Sequence, residues 1–153
     1  MLSANFGRPR PLPFEGSTAI ATIIKEILIE APVEKIWEAF RDFGGVERVV
    51  PGLLAGCELD GNARIVKFRD GREARELLVS IDDDSRRLVY AEVNGRFITR
   101  NASWQVFADG EERSRFVWIQ DLLPNELAEL ISGNMDRAMP VIKRTLENSQ
   151  ETA

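Results

Sequence analysis

Clusters of turn-forming residues divide the middle of the sequence into short segments, and this pattern limits the fold more than any other feature. Each cluster combines aspartate or asparagine with glycine or serine, residues that favour tight reversals of the backbone. Because connections this short join antiparallel strands, the segments between them are predicted to form successive hairpins. The turn clusters are 60–62, 70–71, 82–85, 94–95 and 109–110. The predicted strands between and beside them are approximately 56–59, 64–69, 74–81, 88–94, 97–107 and 114–122.

Before this series, the sequence predicts one further strand and then short helices. Isoleucine alternates with polar residues over about 19–30, which indicates a strand that ends at Ala31-Pro32. Proline suits the first turn of a helix, and large apolar residues follow it at helical spacing: Ile36, Trp37, Phe40 and Phe43. Gly44-Gly45 ends this helix, and a second short helical turn is predicted over about 46–50.

After the last predicted strand, Pro124 opens a long amphipathic helix. Its apolar residues form one stripe at helical spacing: Leu127, Leu130, Ile131, Met135, Ala138, Met139, Ile142 and Leu146. Pro140 lies inside this pattern, and we expect it to kink or interrupt the helix, because proline removes a hydrogen-bond donor and clashes with the preceding turn.

The absence of histidine excludes several classes of active site. Without histidine there is no Ser-His-Asp or Cys-His nucleophile system and no histidine-ligated metal site. We expect no cofactor and no metal, and any proton transfer has to use a carboxylate, a lysine, the single cysteine or the single tyrosine. One cysteine cannot form an internal disulfide, which indicates a reduced, cytoplasmic location.

The 153 residues suit a single domain, which we expect over 19–149. The Pro- and Arg-containing segment 1–18 is predicted to be a flexible arm, and 150–153 a disordered tail. No apolar stretch approaches the length of a membrane span or a secretory signal. The net charge of −5 argues against a nucleic-acid partner.

The segment ILIEAPVEKIWEAFRDF, residues 27–43, resembles the N-terminal signature of the START-like (SRPBCC) superfamily, in its polyketide cyclase/dehydrase-type branch. The shared features are Ala31-Pro32, Trp37, Asp42 and Gly44-Gly45, and the run 73–78 and the strand with Trp118 are also similar. The similarity covers about 20–146. The order of elements matches the helix-grip fold of the birch-pollen allergen type.

This resemblance implies an α+β helix-grip fold with an apolar cavity. In such a fold a seven-stranded antiparallel sheet curls around the long C-terminal helix, and two short helices follow the first strand. Relatives include hydrophobic-ligand and lipid carriers, ring hydroxylase subunits, cyclases, aromatases and quinone-binding proteins, so the fold does not decide the function. Related sequences often have an aromatic residue or histidine before the proline of the second short helix. Val49-Val50 at that position implies an aliphatic cavity rim here.

A charged pair is the leading candidate for chemistry in the cavity. If Asp70-Gly71 is a two-residue hairpin turn, Ile65 opposes Glu76, and Lys67 is a diagonal neighbour of Glu76 on the same face with Leu78. Two charged side chains on the covered face are costly to bury unless they form an ion pair with each other or contact water in a cavity. The alternative is an exposed pair of little energetic value.

The strand containing Tyr90 and Glu92 leaves two assignments open. Its other face carries Val89, Ala91 and Val93 and is more apolar, which favours an outward Tyr90 and Glu92. A cavity with a polar lining would reverse this assignment. Arg100 is likewise expected to be exposed, although its alternation with Trp104 would place it near a cavity mouth if Trp104 faces inward.

Aromatic and sulfur-containing side chains supply the remaining candidates. Trp104 and Trp118 are predicted to share a face across neighbouring strands, with Phe116 and Gln120 in the same row as Trp118. Met135 and Met139 suit either the core or an adaptable cavity. Cys57 is expected to be a small buried apolar residue.

Three functions follow as hypotheses. The first is binding of a small, mainly apolar or aromatic molecule by a monomer or homodimer, and the second is a cofactor-independent cyclase or dehydratase that acts on a polyketide-like or aromatic substrate. Glu76 and Lys67 are the catalytic candidates for the second. The third is a protein-interaction module with a vestigial cavity. The candidate ligand-binding residues are Lys67, Glu76, Leu78, Tyr90, Glu92, Arg100, Trp104, Phe116, Trp118, Gln120, Met135 and Met139.

Overall fold

A computed structural model describes residues 21–149, and the predicted arm 1–18 and tail 150–153 lie outside the described residues. The chain forms, in order, β1 (Ala21–Ile29), α1 (Val33–Arg41), α2 (Val46–Val49), β2 (Leu54–Asp60), β3 (Ala63–Phe68), β4 (Glu73–Asp82), β5 (Arg87–Val93), β6 (Thr99–Ala108), β7 (Ser114–Leu123) and α3 (Ala128–Asn148). Single 3₁₀ turns at Phe43–Gly45 and Asn125–Leu127 precede α2 and α3. The element order and the two short helices after β1 confirm the sequence prediction.

The seven strands form one antiparallel sheet in the order β1-β7-β6-β5-β4-β3-β2. Apart from the β1–β7 pairing, every neighbour in the sheet is also a neighbour in the sequence, as short hairpin connections require. The sheet curls around α3, whose buried face carries Ile131, Met135, Ala138, Met139, Ile142 and Leu146. The α+β helix-grip fold is therefore confirmed. Within residues 21–149 no helix is both long and apolar enough to cross a membrane.

Helix α1 covers one end of the curled sheet. Its buried side chains are Ile36, Trp37 and Phe40. The Phe40 ring lies 4.8 Å from the Trp104 ring and 4.7 Å from the Phe116 ring, measured between centroids. On the outside, the Trp37 indole N–H donates to Asp83 over 2.9 Å. The apolar spacing in α1 therefore packs this end of the interior with aromatic rings.

Helix α3 continues through Pro140 as one helix, so of the two expected effects, a kink or an interruption, the interruption does not occur. Proline at this position removes the donor that would bond the carbonyl of Asp136 one turn earlier. Both Asp136 and Pro140 lie on the exposed side of the helix, where water can hydrogen-bond that carbonyl. The buried apolar stripe is therefore unbroken.

The β3–β4 connection is one residue longer than predicted, and this changes the pairing. The N–H of Phe68 donates to the carbonyl of Arg72 over 2.8 Å, which leaves a three-residue loop, 69–71. Gly71 has a φ of 92°, the left-handed conformation that such loops require at this position. The register therefore places Arg64, not Ile65, opposite Glu76.

Candidate functional site

A cavity of about 590 Å³ lies between the inner face of the sheet and α3. Strands β3 to β7 supply its floor, while α2, the following loop and α3 supply the opposite wall. Its apolar wall includes Val46, Val50, Leu54, Val66, Ala74, Trp104, Trp118, Leu130, Ile131 and Ala138. Val46 from α2 and Val50, the residue after α2, line the cavity, whereas Val49, predicted with Val50 to form an aliphatic rim, does not.

A buried ion pair between Arg64 and Glu76 forms part of the inner wall. The Arg64 guanidinium donates to Glu76 Oε2 from Nε over 3.1 Å and from Nη2 over 2.8 Å. Its Nη1 donates to the carbonyl of Phe43 over 3.1 Å. The side chains of Arg64 and Glu76 are only 3% and 7% exposed. Because removal from water is costly for both charges, these three hydrogen bonds are what makes the burial tolerable.

Aromatic rings enclose the Arg64 guanidinium. Its central carbon lies 4.3 Å from the centroid of the Phe43 ring and 4.8 Å from that of the Tyr90 ring. Such contacts favour a cation over the ring faces. Arg64 was not predicted from the sequence, because a two-residue turn at Asp70-Gly71 shifts the strand pairing by one residue and turns Arg64 away from Glu76. Arg69, directly before Asp70-Gly71, is the residue that completes the longer loop.

A second cluster of hydrogen-bonded polar side chains connects β5, β6 and β7. Arg100 Nε donates to Gln120 Oε1 over 2.8 Å, and Arg100 Nη1 also contacts Glu92 Oε2. The side chains of Arg100 and Glu92 are 13% and 10% exposed, and Gln120 is almost fully buried. The favoured outward placement of Glu92 and Arg100 is therefore wrong, because both side chains lie in the wall of the cavity.

Tyr90 also faces inward, so its favoured outward placement is wrong too. The hydroxyl side chain is almost fully buried beside Glu76. Burial, and secondarily the negative charge of Glu76, raise the pKa of Tyr90 to about 12. Tyr90 therefore remains protonated at neutral pH and serves as a hydrogen-bond donor or acceptor, not as a base.

Trp104 and Trp118 face each other in the register of β6 and β7, which confirms the predicted shared face. Their ring centroids are 5.4 Å apart and the rings meet edge to face. Phe116 lies in the same row but deeper, against Phe40, and is not part of the cavity wall. Both tryptophans contribute apolar side chains to the cavity wall.

Several sequence candidates lie outside the cavity wall. Lys67 projects from the outer face of the sheet, where its side chain is 40% exposed and Nζ pairs with Glu58 over 3.1 Å. The predicted Lys67–Glu76 pair is therefore wrong, because the longer loop places these residues on opposite faces. Leu78 is partly buried against the core, and Met135 and Met139 are buried in it. The candidates that the structure does bring to the wall are Glu76, Tyr90, Glu92, Arg100, Trp104, Trp118 and Gln120.

Cys57 does not belong to the cavity wall, and it is half-buried, not fully buried as expected. Burial raises the pKa of the Cys57 thiol, with the positive charge of Arg64 acting in the opposite direction. The thiol is therefore protonated near neutrality and a poor nucleophile.

The wall combines apolar surface with two buried ion pairs, and further charged side chains line the cavity: Arg69, Asp70, Arg72, Glu73, Arg96 and Arg137. Arg64 is neutralised by Glu76 and Arg100 by Glu92. The wall can therefore enclose an apolar body and offer it a few oriented polar groups.

Comparison with known proteins yields a family match and a set of similar folds. Residues 21–149 match the family model described as polyketide cyclase / dehydrase and lipid transport. No protein with curated function matches the chain in sequence.

Solved structures with the same fold come from several bacteria. The protein XoxI from Bacillus cereus superposes with a TM-score of 0.77 at 18% identity, over 86% of this chain and 99% of that one. A START superfamily protein from Mycobacterium smegmatis gives 0.70 at 12% identity, over 83% and 97%. The Zhui aromatase/cyclase from Streptomyces sp. R1128 gives 0.68 at 14% identity, over 87% and 94%. At these identities the likeness concerns the fold alone.

Proposed function

Because the chain belongs to the polyketide cyclase / dehydrase and lipid transport family, we propose that it binds a small, mainly apolar molecule in the cavity between the sheet and α3. The observation that carries this proposal is the cavity itself, about 590 Å³ of space inside the fold. This volume lies within the range of small-molecule sites, which are concave, mostly apolar and furnished with few polar groups.

The lining supports an affinity that comes mainly from apolar contact. Trp104 and Trp118 line the cavity from the sheet, and Ile131 and Ala138 line it from α3. Burial of apolar ligand surface contributes roughly 25 cal/mol per Å². The two buried ion pairs beside this surface, Arg64–Glu76 and Arg100–Glu92, are satisfied within the protein, so they can orient a ligand without demanding a countercharge from it.

Turnover of the same ligand is the second candidate function. The family description includes cyclases and dehydrases, and carboxylates at Glu76 and Glu92 line the cavity. Against it, Lys67 lies on the other face of the sheet, and Glu76 Oε2 is engaged by two Arg64 hydrogen bonds. Binding therefore has the stronger support. A Glu76→Gln variant that retains full turnover of an identified substrate would remove Glu76 from the candidates.

A protein-interaction module with a vestigial cavity has the least support. A closed interior filled by side chains would favour such a module, whereas a cavity with paired polar groups and apolar walls favours a small ligand.

The experiment that tests the proposed function compares a cavity-filling variant with a matched surface variant. Ala138→Phe places a ring into the cavity from α3, while Arg144→Phe places the same ring on the exposed side of the same helix. Small molecules that co-purify with each protein are extracted and identified by mass spectrometry. We expect one apolar species with wild type and Arg144→Phe, and its loss from Ala138→Phe. Equal recovery from all three proteins would contradict binding in this cavity.

A further inference from the structure

The cavity opens to solvent at a mouth that is rich in arginine. The charged residues that line the cavity and are exposed define this mouth: Arg69, Asp70, Arg72, Glu73, Arg96 and Arg137. The arginines of the mouth outnumber its carboxylates by four to two. Because the whole chain has a net charge of −5, this local excess of positive charge runs against the overall composition.

The topology brings the mouth residues together at one end of the sheet. Strands β3, β5 and β7 run in the same direction, because each alternates with antiparallel neighbours. The loop with Arg69, the loop with Arg96 and the start of α3 therefore lie at the same end, and Arg137 lies in the first half of α3. Helix α1 follows β1, which is antiparallel to β7, so it covers the opposite end.

Three of the four mouth arginines have no ion-pair partner. Arg72 Nε pairs with Asp70 over 2.7 Å. Within residues 21–149, by contrast, none of Arg69, Arg96 and Arg137 forms an ion pair. These three side chains therefore carry positive charge at the mouth that no contacting carboxylate offsets.

An anion finds this uncompensated charge at the mouth and not deeper in the cavity. Glu73 is a single carboxylate beside three arginines, so it does not balance them. In the interior, Arg64 is already neutralised by Glu76 and Arg100 by Glu92. A surplus of one sign of charge around a cleft raises the local concentration of ions of the opposite sign.

We propose that Arg69, Arg96 and Arg137 bind the anionic end group, a carboxylate or a phosphate, of an amphipathic ligand whose apolar part occupies the cavity. This inference rests on the proposed function and adds that the mainly apolar ligand is an anion. A guanidinium presents N–H donors in a fork that matches two oxygens of a carboxylate or phosphate. Arg137 Nη2 contacts the amide oxygen of Asn134, which leaves the other donors of this guanidinium for a ligand.

The exposure of the mouth makes it a better place for an anion than the buried wall. An anion bound by exposed arginines keeps part of its hydration, whereas full burial would remove it at a high cost. The apolar part of the same ligand gains by leaving water for the cavity. Together these effects orient the ligand with its apolar part inside and its charge at the mouth.

The subsite can be tested with three probes that share a ten-carbon chain: decan-1-ol, decanoate and decyl phosphate. Their Kd values are measured by isothermal titration calorimetry at pH 7.5 and low salt. We expect at least one of the anions to bind about tenfold more tightly than the alcohol, and the stronger anion identifies the end group. Since salt screens exposed charges, 0.5 M NaCl should weaken binding of the anion and not of the alcohol.

A pair of charge-matched variants then assigns the effect to the mouth. The mouth variant combines Arg69→Gln, Arg96→Gln and Arg137→Gln. The control variant removes the same charge from exposed side chains outside the cavity lining: Lys35→Gln, Arg87→Gln and Arg144→Gln. Because each exposed pairing contributes a factor of a few, we expect the mouth variant to raise the Kd of the anion about tenfold. The Kd of the alcohol, and every Kd of the control variant, should stay within about twofold of wild type.

The outcomes distinguish this inference from the proposed function. If the alcohol binds as tightly as both anions, the anion subsite is refuted and cavity binding stands. If tight anion binding persists in the mouth variant, or is lost equally in both variants, the three arginines are not the site and the proposal is overturned. If no probe binds up to its solubility limit, cavity binding itself is contradicted. Should the mouth variant fail to fold, the wild-type ratio of alcohol to anion affinity and its salt dependence decide.

Discussion

Removal of Arg64 tests whether the ion pair in the cavity wall is buried and satisfied as described. Arg64→Met keeps much of the aliphatic stem but deletes the donors to Glu76 and to the Phe43 carbonyl. It leaves a carboxylate that is 7% exposed without its partner. Breaking a buried pair from one side typically costs about 3–5 kcal/mol, and we expect Arg64→Met to lose about 4 kcal/mol of unfolding free energy. In a domain of this size the corresponding fall in Tm is roughly 10 °C.

The assay is urea unfolding followed by circular dichroism, with a double variant and a surface control. Arg64→Met combined with Glu76→Met removes both charges, and we expect it to recover most of the lost stability, because a buried pair and apolar residues of similar size are often equivalent. Arg75→Met breaks an ion pair with Asp60 on the outer face of the sheet, where the two side chains are 35% and 63% exposed. We expect this substitution to lower the free energy of unfolding by less than about 1 kcal/mol. A loss for Arg64→Met no larger than that for Arg75→Met would refute the described burial and register.

Three further predictions follow from the fold and its titrating groups. Tyr90 is the chain's one tyrosine, and its pKa is raised to about 12 from an ordinary 10.0. The folded protein therefore holds the phenolic proton more tightly than the unfolded chain does. Absorbance at 295 nm should show no tyrosinate at pH 10.5. Stability from this group is full below pH 10 and declines as the pH rises toward 12, a decline that Tyr90→Phe should reduce in urea unfolding at each pH. Cys57, whose thiol pKa is raised by burial, is expected to react with Ellman's reagent at pH 8 more slowly in the folded than in the urea-unfolded chain, and equal rates would contradict its burial. Gly71→Ala should lower the free energy of unfolding by about 1 kcal/mol, because φ at this position is 92°. Gly133→Ala, in α3 with ordinary contacts, should raise it by about 0.5–1 kcal/mol. A Gly71→Ala variant of unchanged stability would argue against the three-residue loop.

Most of the fold is predictable from local signals in the sequence. The turn clusters separate the strands, and the apolar stripe of α3 identifies its buried face, because each signal depends on nearby residues. The path through Pro140 is not predictable in this way. It depends on whether the carbonyl that loses its donor faces water, which only the packing of α3 decides.

The candidate site was predictable in composition but not in register. One extra residue in the loop shifts the pairing of β3 with β4 by one position, which exchanges the side chains that lie on the same face of the sheet as Glu76. The length of the 69–71 loop therefore decides whether Lys67 or Arg64 lies beside Glu76. The inward placement of Tyr90 and Glu92 was missed for a related reason. The more apolar face of β5 is assumed to be the core face, and a cavity with paired charges violates that assumption.

The central claim, that the interior binds an apolar molecule, is tested most directly by titration with N-phenyl-1-naphthylamine, an uncharged dye that fluoresces in apolar surroundings. We predict saturable binding of one dye per chain for wild type and for Arg144→Phe, and an affinity at least about tenfold weaker for Ala138→Phe, whose ring occupies the cavity. Binding of equal strength in all three proteins, or none in wild type, would contradict the claim.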